Sequence, residues 1–171
     1  MEYKGDFKKF ARDQLAAIFA DPEYGTLYQH LAARAPDFAE VSVDLFSMEY
    51  LGAKLALSAR AWEEACSEVR MSEAGVSKVF FQAAMDCFQS PKMTLLAAAF
   101  SEAYYAVEGK PLKDLALMLA ARLFEKLRPI PAGDKARGRE QALQTVMESL
   151  ESFRNTFENR FHDFLITCIR F

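Results

Sequence analysis

The chain of 171 residues has little of what breaks or staples a fold: seven Gly, six Pro, three Cys and two His. So few glycines and prolines beside a hydrophobic fraction of 51 % exclude a disordered or collagen-like chain. The cysteines, Cys66, Cys87 and Cys168, are odd in number and far apart, with no Cys-x-x-Cys pair. That spacing excludes a disulfide framework and a zinc ribbon, and each is expected to be a small buried hydrophobe in a reducing cytoplasm. No apolar run approaches the roughly 20 residues of a membrane span, and "MEYKGDFKKF" has no apolar leader core, so neither insertion nor export is expected. Sustained alternation of apolar and polar residues is missing too, which removes the main sign of half-buried strands.

What the chain does have is apolar periodicity of the helical kind almost throughout, and the expected fold is all-α. It is a single domain, 1–171, of about seven helices, with a long central helix and a long C-terminal helix. Asp6 is the expected cap of a first helix carrying Phe7, Phe10, Ala11, Ile18 and Phe19, which stops at Asp21-Pro22. A second helix, with Tyr24, Leu27, Tyr28 and Leu31 on one stripe, ends before Pro36. From Leu45 the steps 3, 4, 3, 4, 3, 4 and 3 lead through Met48, Gly52, Leu55, Ala59, Trp62 and Cys66 to Val69, predicting a helix over about 42–71. Small residues at Gly52, Ala59 and Cys66 invite the close approach of a partner helix.

Further helices are expected at Val76–Phe88, at Pro91–Gly109, and from Pro111 to about Leu127. The last of these is apolar nearly all round, which predicts the centre of the bundle. The segment "RPIPAGDKARGR" then breaks the pattern, giving a loop at 128–138. A final helix to the C-terminus carries Leu143, Val146, Leu150, Phe153, Phe157, Phe161, Phe164, Cys168 and Phe171.

Residues 60–88 raise the one DNA-reading possibility. The words "AGVSK" resemble the turn of TetR-type repressors, in which a small residue and a glycine end one helix and Val-Ser-Lys opens the recognition helix. The resemblance covers about a dozen residues. It would imply a helix-turn-helix, but it lies some seventy residues into the chain, where that family's reader is N-terminal. A reader also needs polar side chains aimed at base edges and cations for phosphates. Here Lys78 and Gln82 stand among Val79, Phe80, Phe81, Ala83, Ala84 and Met85, in a chain of net charge −3. A turn between two packed helices is the better reading, and nucleic acid is not an expected partner.

Catalysis and metal binding find no pattern. A di-iron bundle needs two Glu-x-x-His pairs, and the chain offers only His30 and the Glu158/His162 pair. There is no Gly-x-Ser-x-Gly elbow and no phosphate-binding Gly-Lys-Ser/Thr. The acidic clusters Glu63, Glu64, Glu68 and Glu148, Glu151, Glu158 are interleaved with arginines at helical spacing, as solvated faces are. No enzyme activity, metal or cofactor is therefore expected. One local reversal of sign, Lys126, Arg128, Lys135, Arg137 and Arg139 against Asp134 and Glu140, makes Lys135, Arg137 and Arg139 candidate anion contacts.

Two features exceed a plain core. Surplus apolar surface at Gly52, Ala59, Trp62, Phe157, Phe161, Phe164, Cys168 and Phe171 suggests an interface, between identical chains or with another protein. The aromatics Phe80, Phe81, Phe100 and Tyr104 suggest a pocket for an apolar small molecule. The expected function is a non-enzymatic, homodimeric interaction or regulatory module, the alternative a sensor or carrier of an apolar ligand.

Overall fold

The computed structural model describes residues 2–21, 23–35, 38, 40–69, 71, 75–127 and 136–170. The fold is all-α, with seven α-helices among those residues: α1 (Phe7–Ala20), α2 (Glu23–Arg34), α3 (Val43–Glu68), α4 (Val79–Cys87), α5 (Thr94–Ala106), α6 (Leu115–Leu127) and α7 (Ala136–Cys168). Single 3-10 turns at Val76–Lys78, Pro91–Met93 and Leu112–Asp114 lead into α4, α5 and α6.

Local chemistry sets the helix starts. The carboxylate of Asp6 accepts from the backbone N–H of Lys9 at 2.9 Å, and the Ser42 hydroxyl accepts from that of Leu45 at 3.4 Å. Both satisfy donors that the first turn leaves without an intrahelical partner. Pro91 stands at the first position of its 3-10 turn, where a missing N–H costs nothing. Past α5, Gly109 takes a left-handed φ of 70°, which turns the chain toward α6.

The centre of the bundle is α3, and this corrects the expectation that the 111–127 helix would hold it. Residues 52–59 of α3 are buried on every side, as are Tyr50, Ala61, Trp62 and Cys66. By contrast α6 buries Leu115, Ala116, Leu119, Ala120, Leu123, Phe124 and Leu127 on one face and leaves Leu117 51 % exposed on the other. Side-chain size explains the exchange. Gly52, Ala53, Ala56, Ser58, Ala59 and Ala61 leave room for neighbours all round, whereas the bulky leucines of α6 fill one seam and stop.

Around Trp62 of α3 the core is aromatic. Trp62 stacks on Phe161 of α7 with centroids 4.1 Å apart, and lies near Phe7, Phe10 and Phe80 at 6.2, 6.0 and 5.9 Å. Its indole N–H donates to the Val76 carbonyl at 2.8 Å, satisfying the one polar atom that burial would strand. Helix α7, 33 residues and so about 50 Å long, spans the bundle.

A small departure from an all-helical chain lies at the termini. Residues Glu2–Tyr3 (β1) pair antiparallel with Ile169–Arg170 (β2), Tyr3 opposite Ile169, and Lys4 N–H donates to the Cys168 carbonyl at 2.9 Å. The last helix therefore stops at Cys168, where the expected helix gives way to β2. Gly5 fits here because a Cβ would overlap Cys168 Sγ.

Candidate functional site

The expected interface residues lie inside the chain. Gly52, Ala59, Trp62, Phe157, Phe161 and Cys168 are buried, and Phe164 is half-buried, stacked on Phe10 at 4.2 Å. The heptad stripe of α3 is thus satisfied by α5 and α7 of the same molecule, because Gly52 allows α5 to approach until an added Cβ would stand 2.8 Å from the Ala99 carbonyl carbon. Phe171 lies outside the described residues.

The expected aromatic pocket is filled by its own side chains. Phe81 packs on Phe100 and Tyr104 at 5.4 and 4.5 Å, while Phe80 turns away to meet Phe157 at 5.4 Å. Rings at these separations are in contact and leave no space between them for a ligand.

Of the expected anion contacts, Lys135 lies outside the described residues. Arg137 and Arg139 fall in the first turn of α7, which takes up 136–138 of the expected loop. Cys87 is exposed, which corrects the expectation of three buried thiols, whereas Cys66 and Cys168 are buried. Burial first, and then the charge of Glu63, pushes the Cys66 thiol up to about 11. His30 and His162 are exposed, and among the described residues no three His, Cys, Asp or Glu side chains gather as metal ligands would.

Among the described residues three concave sites bear on function. The largest of these three, about 650 Å³, lies between α1 and α4 and falls within the roughly 300–1,000 Å³ usual for small-molecule sites. Lys8 and Arg12, one helical turn apart on α1, face Lys78, Val79, Gln82, Ala83, Asp86 and Cys87. Both cations are exposed, and among the described residues neither has a carboxylate within ion-pairing distance. Asp86 is engaged by the Gln82 amide at 3.0 Å. The cleft is therefore positive along its α1 wall and apolar along Val79 and Ala83. Its thiol is no ready nucleophile, because burial and the adjacent Asp86 raise the Cys87 ionisation.

The second cleft, about 160 Å³, separates α1 from α7, with Gln14, Asp21, Ser149, Ser152, Thr156 and Arg160 among its walls. Beside it lies Lys54, a lysine only 2 % exposed in the middle of α3. Its Nζ donates to Asp21 at 3.3 Å and lies over the rings of Tyr50 and Phe153 at 5.2 and 4.8 Å. A carboxylate and two ring faces are the partners that a lysine head group removed from water requires. Tyr50 and Ser149 share a hydrogen bond of 2.5 Å.

The third, about 410 Å³, lies where Arg60, Glu63 and Glu64 face the turn at Gly109–Leu112. Its wall is a charged network. The Tyr104 hydroxyl donates to Glu63 Oε1, Lys78 Nζ donates to the same oxygen at 2.7 Å and to the Tyr104 hydroxyl at 2.6 Å, and Arg60 donates to Glu63 Oε2 at 3.0 Å. The Arg60 guanidinium also lies 3.8 Å over the Tyr104 ring. Tyr104, expected to line a pocket, is thus a hydrogen-bonding hub, a role that aromatic content alone does not disclose. Helix α4 buries Phe80 and Ala84 in the core, and Lys78, in the 3-10 turn that leads into it, is held by this network.

No helix of the described residues is long and apolar enough to cross a membrane. No family model matches the chain, and no curated protein or solved structure matches it either.

Proposed function

We propose that this chain is a non-enzymatic helical module that binds a small anionic molecule with an apolar body, in the cleft between α1 and α4, as a sensor or carrier. The observation that carries the reading is the pair of unneutralised cations, Lys8 and Arg12, along a cleft of about 650 Å³ whose opposite wall includes Val79 and Ala83. Charge-assisted hydrogen bonds from Arg and Lys favour phosphate or carboxylate oxygens, and the apolar wall favours a ring or short chain beside them. The ligand class differs from the apolar molecule expected of the aromatic helices, since those helices close on one another.

Calorimetric titration with phenyl phosphate, inorganic phosphate and phenol tests this reading. Phenyl phosphate is expected to bind most tightly, and Lys8→Gln combined with Arg12→Gln is expected to weaken it at least tenfold. Equal, negligible heats for all three probes would sink the proposal.

Self-association is a second reading, favoured by one observation. On the outer face of α5, Leu95 is 65 % and Tyr105 59 % exposed, with the exposed Ala98 between them at helical spacing. If identical chains meet there, light scattering should give twice the chain mass, and Leu95→Asp with Tyr105→Asp should return it to one. A wild-type mass of one chain at high concentration would remove this reading.

A further inference from the structure

Lys78 is placed to serve two sites. It lines the α1–α4 cleft opposite Lys8 and Arg12, yet its Nζ is held by Glu63 and Tyr104 at 2.7 and 2.6 Å on the side of the third cleft. Its side chain is 59 % exposed, so a change of rotamer meets little packing resistance. Glu63, only 16 % exposed, does not depend on Lys78 alone: Arg60 holds its other oxygen at 3.0 Å and the Tyr104 hydroxyl donates to it. Withdrawal of Lys78 therefore leaves no buried charge unpaired, which is the condition that makes breaking an ion pair expensive.

We propose that the ligand of the α1–α4 cleft is a phosphate monoester, and that Glu63 is its internal competitor. Binding draws Lys78 off Glu63 and Tyr104 to complete a three-cation grip with Lys8 and Arg12. The charge balance sets the ligand class. Lys8, Arg12 and Lys78 against Asp86 leave an excess of two positive charges, which matches the dianion that a phosphate monoester carries above its second ionisation near pH 6. A monocarboxylate would satisfy Lys8 and Arg12 and leave Lys78 where it is. Because Lys78 is shared, occupancy of the cleft is felt at Tyr104, on the opposite side of α4 from the ligand.

This inference rests on the binding reading given above, and one set of titrations separates the two. Phenyl phosphate is titrated into the wild type, Glu63→Gln, Lys78→Met and Tyr104→Phe, each first checked for an unchanged helical spectrum and cooperative melting. With the competing carboxylate neutralised, Glu63→Gln should bind about threefold to tenfold more tightly, since each tenfold is 1.4 kcal/mol and a partly exposed ion pair is worth no more than about that. Lys78→Met should weaken binding, Tyr104→Phe should tighten it slightly, and the wild type should show a tyrosine ultraviolet difference signal that Tyr104→Phe and Lys78→Met lose. If the wild type binds, loses affinity on Lys8→Gln with Arg12→Gln, and is unaltered by Glu63→Gln, the competition is wrong and the cleft reading stands. If neither the wild type nor Glu63→Gln binds phenyl phosphate, both are wrong.

Discussion

Gly52 marks the closest approach of α3 and α5, and what lies against it is backbone. An alanine there would gain up to about 1 kcal/mol of helix propensity. Its Cβ, however, would stand 2.8 Å from the Ala99 carbonyl carbon and 3.0 Å from the Phe100 nitrogen, atoms that cannot swing aside as a side chain can. Overpacking should win, and Gly52→Ala is expected to destabilise by about 1–3 kcal/mol, read as a lower urea midpoint at unchanged slope. An unchanged midpoint would mean that the helices separate freely at this point. Lys54 poses a different balance at the same scale, since its ammonium is 2 % exposed and its stem crosses the core. Lys54→Met keeps the stem, removes a buried charge, and leaves Asp21, a residue 36 % exposed, able to turn to water. Lys54→Met should be within about 1 kcal/mol of the wild type, and Lys54→Ala should cost about 2–5 kcal/mol through the cavity it opens. Equal losses in the two variants would show that the charge, not the stem, is what the core needs.

Between elements, the network joining α3, α4 and α5 predicts a dependence on alkaline pH. For Lys78, burial pulls the ionisation down, but the hydrogen bonds and charges of Glu63 and Tyr104 outweigh it and hold the proton above the ordinary 10.5. For Tyr104, burial first and the bond to Glu63 second raise the phenol above its ordinary 10.0. Both groups bind protons more tightly folded than unfolded, so their contribution is complete below pH 10 and is lost as the pH climbs through the raised values. Urea midpoints should fall more steeply above pH 10 in the wild type than in Tyr104→Phe; parallel curves would remove Tyr104 as a cause. The network also shows where the sequence falls short. Asp6 as a cap, the approximate extent of α3 and the apolar stripe of α7 were legible, because caps and 3.6-residue periodicity are local signals, whereas the burial of Phe157 and Phe161 within the same chain, in place of the expected interface, was not. The number of sides a helix buries is not local. α6 looks more apolar than α3, yet small residues let neighbours surround α3, and its Lys54 is accommodated by Asp21 from a turn 33 residues away. The site was less legible still, since Lys8 and Arg12 are ordinary surface cations until α4 is set opposite them.

Across the whole molecule, the β1–β2 pair ties residue 3 to residue 169, so the first helix and the last are held at the same end of the bundle. One aromatic core joins α1, α3, α4 and α7, and a chain cross-tied in this way should unfold as one unit. Calorimetry is expected to give a single transition with equal van't Hoff and calorimetric enthalpies; two transitions would divide the chain into separate folding units. The terminal pairing closes the longest loop in the chain and should form late, because contacts distant in sequence carry the largest closure entropy. At the meeting point of those four helices stands Trp62, the sole tryptophan. Stacked on Phe161, fully out of water and hydrogen-bonded to the turn that leads into α4, its indole is sensitive to displacement of any of its neighbours. The protein thus contains its own optical reporter: one fluorophore, with no background from a second, whose emission follows the helices that frame the α1–α4 cleft.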